Sequence, residues 1–216
     1  MQELIIRPYR QEDRPYVREI AWNTALMGEP ASFFFEGKEV FSDFLTLYFT
    51  DYEPESCFVA QINGKVAGYL LGTKDSLGLL QTFRDKILFS LLLRAVRKGV
   101  FLRKKNLIFF SKFLNGLLRG EFRMPDFSRE YPATLHLNLK EEYRGKGCGS
   151  KLISVFSDYL LRSGVPGVCL ATMSEKGASF FEKQGFRLLH KGKRSYFRHV
   201  LDKDVPIYVY GKKLHE

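Results

Sequence analysis

Arg144, Gly145, Lys146, Gly147, Cys148 and Gly149 alternate bases and glycines between an apolar-alternating strand pattern and an apolar-periodic helix pattern that starts at Ser150. The chemistry such a run can do is anion binding. A helix N-terminus offers backbone N–H groups with no intrahelical acceptor, together with the positive end of the helix dipole, and phosphate is its usual occupant. Glycine suits the place because it leaves no Cβ between main chain and ligand and tolerates positive φ. The same residues also suit a plain strand-to-helix turn. The run is not a dinucleotide fingerprint, because the third glycine of GxGxxG is missing. It is not a P-loop either, because no Gly-Lys-Ser/Thr closes it.

A second set of residues can move protons. In "TLHLNL" the leucines alternate with Thr134, His136 and Asn138, so His136 lies on the face opposite the leucines. Its ordinary pKa of about 6.5 suits a base at neutral pH; a polar residue on an uncovered sheet face is the plain alternative. Tyr196, His190 and His199 lie on or after a later strand. Cys148 stands where a helix dipole lowers a thiol pKa, or serves as small loop filler, and Tyr143 reads as packing. The three cysteines, Cys57, Cys148 and Cys169, are odd in number and lack CxxC or Cys/His spacing, so neither a disulfide framework nor a metal site is indicated and none is expected. Reduced cytosol is the expected compartment. "MQELIIRPY" is not a secretory signal of the usual form.

The elements that must position these residues follow from periodicity. "ELIIRPY" reads as a strand, 11–28 as a helix with acids in its first turn and stopped by Gly28, and 38–50 as a second helix. Two β-rich runs flank Asn63-Gly64, the strongest short hairpin signal. After a basic segment come strand 131–139, the glycine run, a helix to Gly164, strand 167–173, helix 175–186 and two further β-runs at 187–197 and 205–213. The order is β-α-α-β-β-(insert)-β-α-β-α-β-β. With 45% hydrophobic residues, 216 residues can bury a core as one domain, 1–216, carrying a helical insertion at 75–130.

"YRGKGCG" resembles the Arg/Gln-x-x-Gly-x-Gly/Ala signature of the GNAT superfamily of N-acetyltransferases, with Arg144, Gly147 and Gly149 in the signature positions. "ASFFEKQGF" is similar to that family's Ala-x-x-Phe-Tyr-Glu-Lys-x-Gly-Phe helix and strand start. "YPATLHLNL" and "GVPGVCL" resemble, more weakly, the acetyltransferase-like C-terminal region of some O-GlcNAc hydrolases. The resemblance covers residues 3–74 and 131–214 and implies an α/β fold with a mixed central sheet flanked by helices; the basic helical insertion before the cofactor-binding strand lies outside it. It implies an acyl-CoA-dependent N-acetyltransferase with acetyl-CoA, or another acyl-CoA, as co-substrate and a small-molecule or peptide amine as acceptor. The pyrophosphate would meet Arg144, Gly145, Lys146, Gly147, Cys148, Gly149 and Ser150; the pantetheine arm would lie beside Leu137, Asn138 and Leu139, where that strand splays from its neighbour. His136 and Tyr196 are the candidate catalytic groups. The family's usual acid is a tyrosine where this chain has Phe181, and its frequent asparagine is Ser174 here. These departures keep a non-catalytic acyl-CoA-binding or interaction module as the alternative.

Net charge is +10, and residues 81–123 hold eleven Lys or Arg against Asp85 and Glu121, so the basicity belongs to one segment. Leu80, Phe83, Ile87, Leu91, Ala95 and Val96, then Phe110, Phe113, Leu114 and Leu117, recur at helical spacing opposite basic residues. "ILFSLLL", the longest uncharged run, is too short to span a bilayer. The segment reads as two amphipathic helices: a packed subdomain, a lid over the acceptor, a partner-docking surface, or, through residues 81–119, the attachment to an anionic membrane surface expected of a peripheral enzyme. Duplex nucleic acid suits it less, since phosphate tracking gives large aliphatic residues nothing to bury.

Overall fold

A computed structural model describes residues 3–214. In chain order the elements are β1 (Leu4–Pro8), α1 (Arg14–Thr24), α2 (Lys38–Asp51), β2 (Cys57–Ile62) and β3 (Lys65–Thr73). Next come α3 (Ser76–Thr82), α4 (Leu88–Arg97), α5 (Lys104–Leu118), β4 (Ala133–Leu139), α6 (Cys148–Arg162) and β5 (Gly167–Thr172). The chain ends with α7 (Glu175–Lys183), β6 (Arg187–Arg194), α8 (Arg198–Leu201) and β7 (Val205–Lys213). This is the order periodicity predicts, with the four-residue α8 added. The strands form one mixed sheet, β1-β2-β3-β4-β5-β7-β6, in which only β4 and β5 run parallel. Asn63 and Gly64, at φ of 50° and 76°, close the β2–β3 hairpin as Asn-Gly predicts.

β2 and β3 are buried almost throughout because both sheet faces are covered. On one face Val17, Ile20 and Ala21 of α1 pack on Val59, Tyr69 and Leu71. On the other, Leu152, Ile153, Phe156 and Leu160 of α6 pack on Ala60, Leu70, Val168 and Leu170. Each Val, Leu, Ile or Phe among them contributes roughly 1.5–3 kcal/mol when fully buried. Gly72 is needed at the second contact, since a Cβ there would lie 2.3 Å from Phe156 Cζ.

Residues 75–130 leave the sheet after β3 and return at β4, and the Ser76 amide donates to the Pro132 carbonyl at 2.7 Å across their base. α3 and α4 are one helical run interrupted by a π turn at Phe83–Ile87. Ile87, Leu91 and Ala95 face inward as their spacing predicts, and Phe83 meets Phe44 edge-on at 5.5 Å. Arg94 reaches Asp43, a 2% exposed carboxylate that Arg18 of α1 also pairs at 2.8 Å. Leu80, Val96, Leu114 and Leu117, placed by the pattern on packed faces, are instead more than half exposed. The extra residue in the π turn rotates α3 out of phase with α4, and the three residues Ile87, Leu91 and Ala95 suffice to seat α4. On α5, fully buried Asn106 accepts from the Glu36 amide at 2.7 Å and donates to the Glu36 carbonyl at 2.6 Å.

Candidate functional site

β3 and β4 pair over the full length of β4, from Thr73–Thr134 to Gly68–Leu139. β4 and β5 pair only at Ala133–Val168 and Thr134–Cys169. From Leu135 to Leu139 the β4 edge that leads toward β5 has no ladder partner, so the two strands splay toward their C-terminal ends as the resemblance implies. Leu137, Asn138 and Leu139 all border this gap, and the glycine loop follows directly.

The loop is built for free donors. Gly145 and Gly147 hold φ of 75° and 79°, and a Cβ on either would meet no atom within 4 Å, so the space in front of the turn is open. Gly147 caps α6, and the first backbone bond of that helix runs from the Lys151 amide to the Gly147 carbonyl at 3.1 Å. The amides of Gly145, Lys146, Gly147, Cys148, Gly149 and Ser150 therefore have no backbone acceptor among the described residues. Arg144 differs. Its amide is taken by the Glu141 carbonyl at 3.1 Å, and its guanidinium donates to the carbonyls of Leu139 at 3.3 Å and Gly28 at 3.1 Å. In this arrangement Arg144 ties the loop to the turn after α1, and the free amides begin one residue later. Lys146 lies 5.4 Å over the Tyr143 ring, and Tyr143 packs at the edge of the core. Gly149 is needed for packing, because a Cβ there would approach Phe180 to 3.0 Å. Cys148 is fully buried, and burial pushes its thiol pKa up rather than down. That favours loop filler over reactive thiol. A surface groove of about 300 Å³ runs along α6 past Ser150, Ser154 and Leu161 to Leu214 with no β4 or β5 residue in its lining, so it is separate from the gap.

His136 points to the α1 face, opposite the leucines as alternation predicts. Asn138 Nδ2 donates to Tyr69 Oη at 2.9 Å and to His136 Nε2 at 3.1 Å, which puts the imidazole proton on Nδ1. The residue keeps part of its surface open, yet burial of the ring pulls its pKa from 6.5 to about 4. The ordinary histidine pKa expected from the sequence therefore does not hold: His136 is neutral through the physiological range. Tyr69, fully buried, is the partner that sequence reading missed. It becomes legible only once the β3–β4 register places it opposite Asn138.

Tyr196 lies elsewhere. Its hydroxyl donates to Met173 Sδ at 3.6 Å, its ring stacks on Phe122 at 5.7 Å and packs on Phe109 and Phe113, and burial pushes its pKa up to about 12. It shares no hydrogen bond with His136. Phe109 of α5 also touches Phe34 from the stretch after α1 and Phe197 from the β6–β7 connection. Glu121 receives the Ser195 amide at 2.8 Å and hydroxyl at 2.6 Å, and its carbonyl receives the buried Arg194. α5 and the turn after it thus pack over the stretch after α1 and the β6–β7 connection. His190 sits on β6 opposite Val209 at a bulge, and both ring nitrogens of His199 are buried without a partner among the described residues. Phe181 is buried between Phe180 and Phe186, and Ser174 caps α7 by accepting from the Gly177 amide. Among the described residues no group of three His, Cys, Asp or Glu could hold a metal, and no helix is long and apolar enough to cross a membrane.

No family model matches the chain, and no curated protein does. Solved structures do. SsHAT is 24% identical with a TM-score of 0.71, the match covering 99% of this chain and 100% of that one. A polyamine N-acetyltransferase of Drosophila melanogaster, which catalyses formation of N-acetylagmatine, is 15% identical at TM-score 0.63 over 98% and 100% of the two chains. yncA of Salmonella typhimurium, an acetyltransferase solved with its cofactor acetyl-CoA, is 16% identical at TM-score 0.60 over 99% and 95%. The seven-stranded mixed sheet flanked by helices is the fold of the GNAT acetyltransferases.

Proposed function

We propose that this protein is an acyl-CoA-dependent N-acetyltransferase acting on the amine of a small-molecule or peptide acceptor, as one cytoplasmic domain with residues 75–130 inserted in it. The observation that carries the reading is the β4–β5 splay ending beside six amides, Gly145 to Ser150, that no backbone carbonyl satisfies. The open space before Gly145 and Gly147 fits a pyrophosphate, and the unpaired β4 edge from Leu137 to Leu139 fits the pantetheine arm. When bound there, acetyl-CoA or another acyl-CoA supplies an activated thioester open to attack by a neutral amine.

The chain's own residues hold, exclude water and move protons. The aromatic cluster of Phe109, Phe113 and Tyr196, which meets Met173 just after β5, is the part of the chain that would shield the splayed end from solvent. His136 is the neutral base of the set: once the Asn138 amide moves off Nε2, that nitrogen takes the amine proton transiently and passes it to solvent, its pKa of about 4 keeping it from staying protonated. Tyr196, kept protonated by burial, is the second group that can pass a proton at this end. Phe181 supplies no hydroxyl. A thiol titrates about two pH units below an amine, so a thiolate leaves without an acid at tolerable cost.

One observation favours a second reading, a non-catalytic acyl-CoA-binding or interaction module: Phe181 is locked into the core where the resembled family has its acid. Release of free thiol from acetyl-CoA in the presence of an amine panel separates the two. Amine-dependent release above the protein-free rate supports the transferase; acetyl-CoA binding without release for any amine supports the module.

A further inference from the structure

We infer that the outer face of α4 and the α4–α5 corner form a docking surface for an anionic lipid membrane. Of the 22 large apolar residues left exposed, fifteen lie between Leu77 and Met124, a quarter of the chain. They are not scattered singly as on an ordinary surface. On α4 the inward side is Ile87, Leu91 and Ala95, and the opposite side is equally apolar: Phe89 is 75% exposed and Val96 63%, with Leu92 and Leu93 between them. A helix apolar on both sides has one face covered by the domain and a second that water alone covers. The connection to α5 continues the surface with Leu102, 85% exposed.

The charge around these residues identifies the occupant. Of the eleven Lys and Arg in residues 81–123, Arg84, Arg94 and Lys98 pair with carboxylates, and the other eight have none among the described residues. Arg97 follows Val96 directly, and Arg103 and Lys104 follow Leu102, all of them exposed. Basic heads bordering large apolar side chains match an interface in which headgroup phosphates and carboxylates lie above acyl chains. A second copy of this chain meeting the same face would set these cations against each other across a two-fold axis. Nucleic acid offers the charge but nothing for Phe89 and Leu102 to enter.

The inference stands apart from the acyl-CoA reading, since no residue in it borders the β4–β5 gap. The test is co-sedimentation of the full chain with vesicles of equal parts phosphatidylserine and phosphatidylcholine, and with phosphatidylcholine alone, at low salt. Attachment to the acidic vesicles at least tenfold above the neutral ones is expected. Phe89→Gln with Val96→Gln, and separately Arg97→Gln with Arg103→Gln and Lys104→Gln, should each lower it by about tenfold or more. These side chains point to solvent, so an unchanged thermal melt checks folding of both variants. The inference is overturned if the parent stays in the supernatant, if neutral vesicles bind it equally, or if either folded variant attaches like the parent. Self-association or capture by an acidic polypeptide without vesicle attachment overturns it as well.

Discussion

Lowering the pH should unfold this protein partly through His136. In the folded chain its pKa is about 4, and in the unfolded chain it returns to about 6.5. Between those values the unfolded state binds a proton that the folded state refuses. Stability therefore falls as pH falls through the window, and the contribution is intact above pH 6.5. At ~1.4 kcal/mol per pH unit, the gap sets a loss of about 3 kcal/mol by pH 4. Many carboxylates titrate over the same range, so the measurement must be differential. Urea unfolding at half-unit steps from pH 7.5 to pH 4, on the parent and on His136→Gln, cancels every group they share. The parent's free energy of unfolding should drop about 3 kcal/mol further than the variant's. Parallel curves would mean that the imidazole is solvated in the fold, and the Asn138–His136–Tyr69 cluster could not then hold a neutral base.

Asp43→Ala leaves Arg18 and Arg94 without their shared, nearly buried carboxylate but with their own heads partly solvated; urea unfolding should show a loss of about 1.5–3 kcal/mol, and a loss under about 0.5 kcal/mol would mean that α4 is not anchored there. Gly72→Ala drives a methyl into Phe156 and should cost about 1–3 kcal/mol in the same assay; an unchanged midpoint would show that the α6 contact is loose. Phe181→Tyr puts a hydroxyl into the core between Phe180 and Phe186 and should cost about 1–3 kcal/mol in the same assay with no gain in thiol release; a rise in release at unchanged stability would mean that the ring edge reaches the gap.

The order of elements was legible because its signals are local. Asn63-Gly64 needs two adjacent residues to make its turn, and the leucine alternation of β4 needs six. The glycine run announces a helix start with free amides for the same reason. What the sequence could not tell depends on pairing at a distance. Tyr69 reaches Asn138 and His136 only through the β3–β4 register. The depressed pKa of His136 follows from that enclosure, which no property of the strand itself encodes. Arg144 reads as a phosphate ligand in "YRGKGCG", but its reach to the Gly28 carbonyl requires the turn after α1 to lie beside the loop. The insertion misled for another reason. Apolar periodicity marks residues that could be buried, and on α4 there are more of them than the domain has surface to cover.

The central claim is that the amides from Gly145 to Ser150, at the end of the β4–β5 splay, hold the pyrophosphate of an acyl-CoA. Titration calorimetry of acetyl-CoA into the parent and into Gly147→Glu tests it most directly. The variant puts a bulky anion into the open space before the loop, at a residue whose φ of 79° already disfavours a side chain; a thermal melt of the ligand-free variant checks that it folds. The account predicts saturable one-to-one binding to the parent and none to the folded variant. Binding of equal affinity to both, or none to the parent, would contradict it.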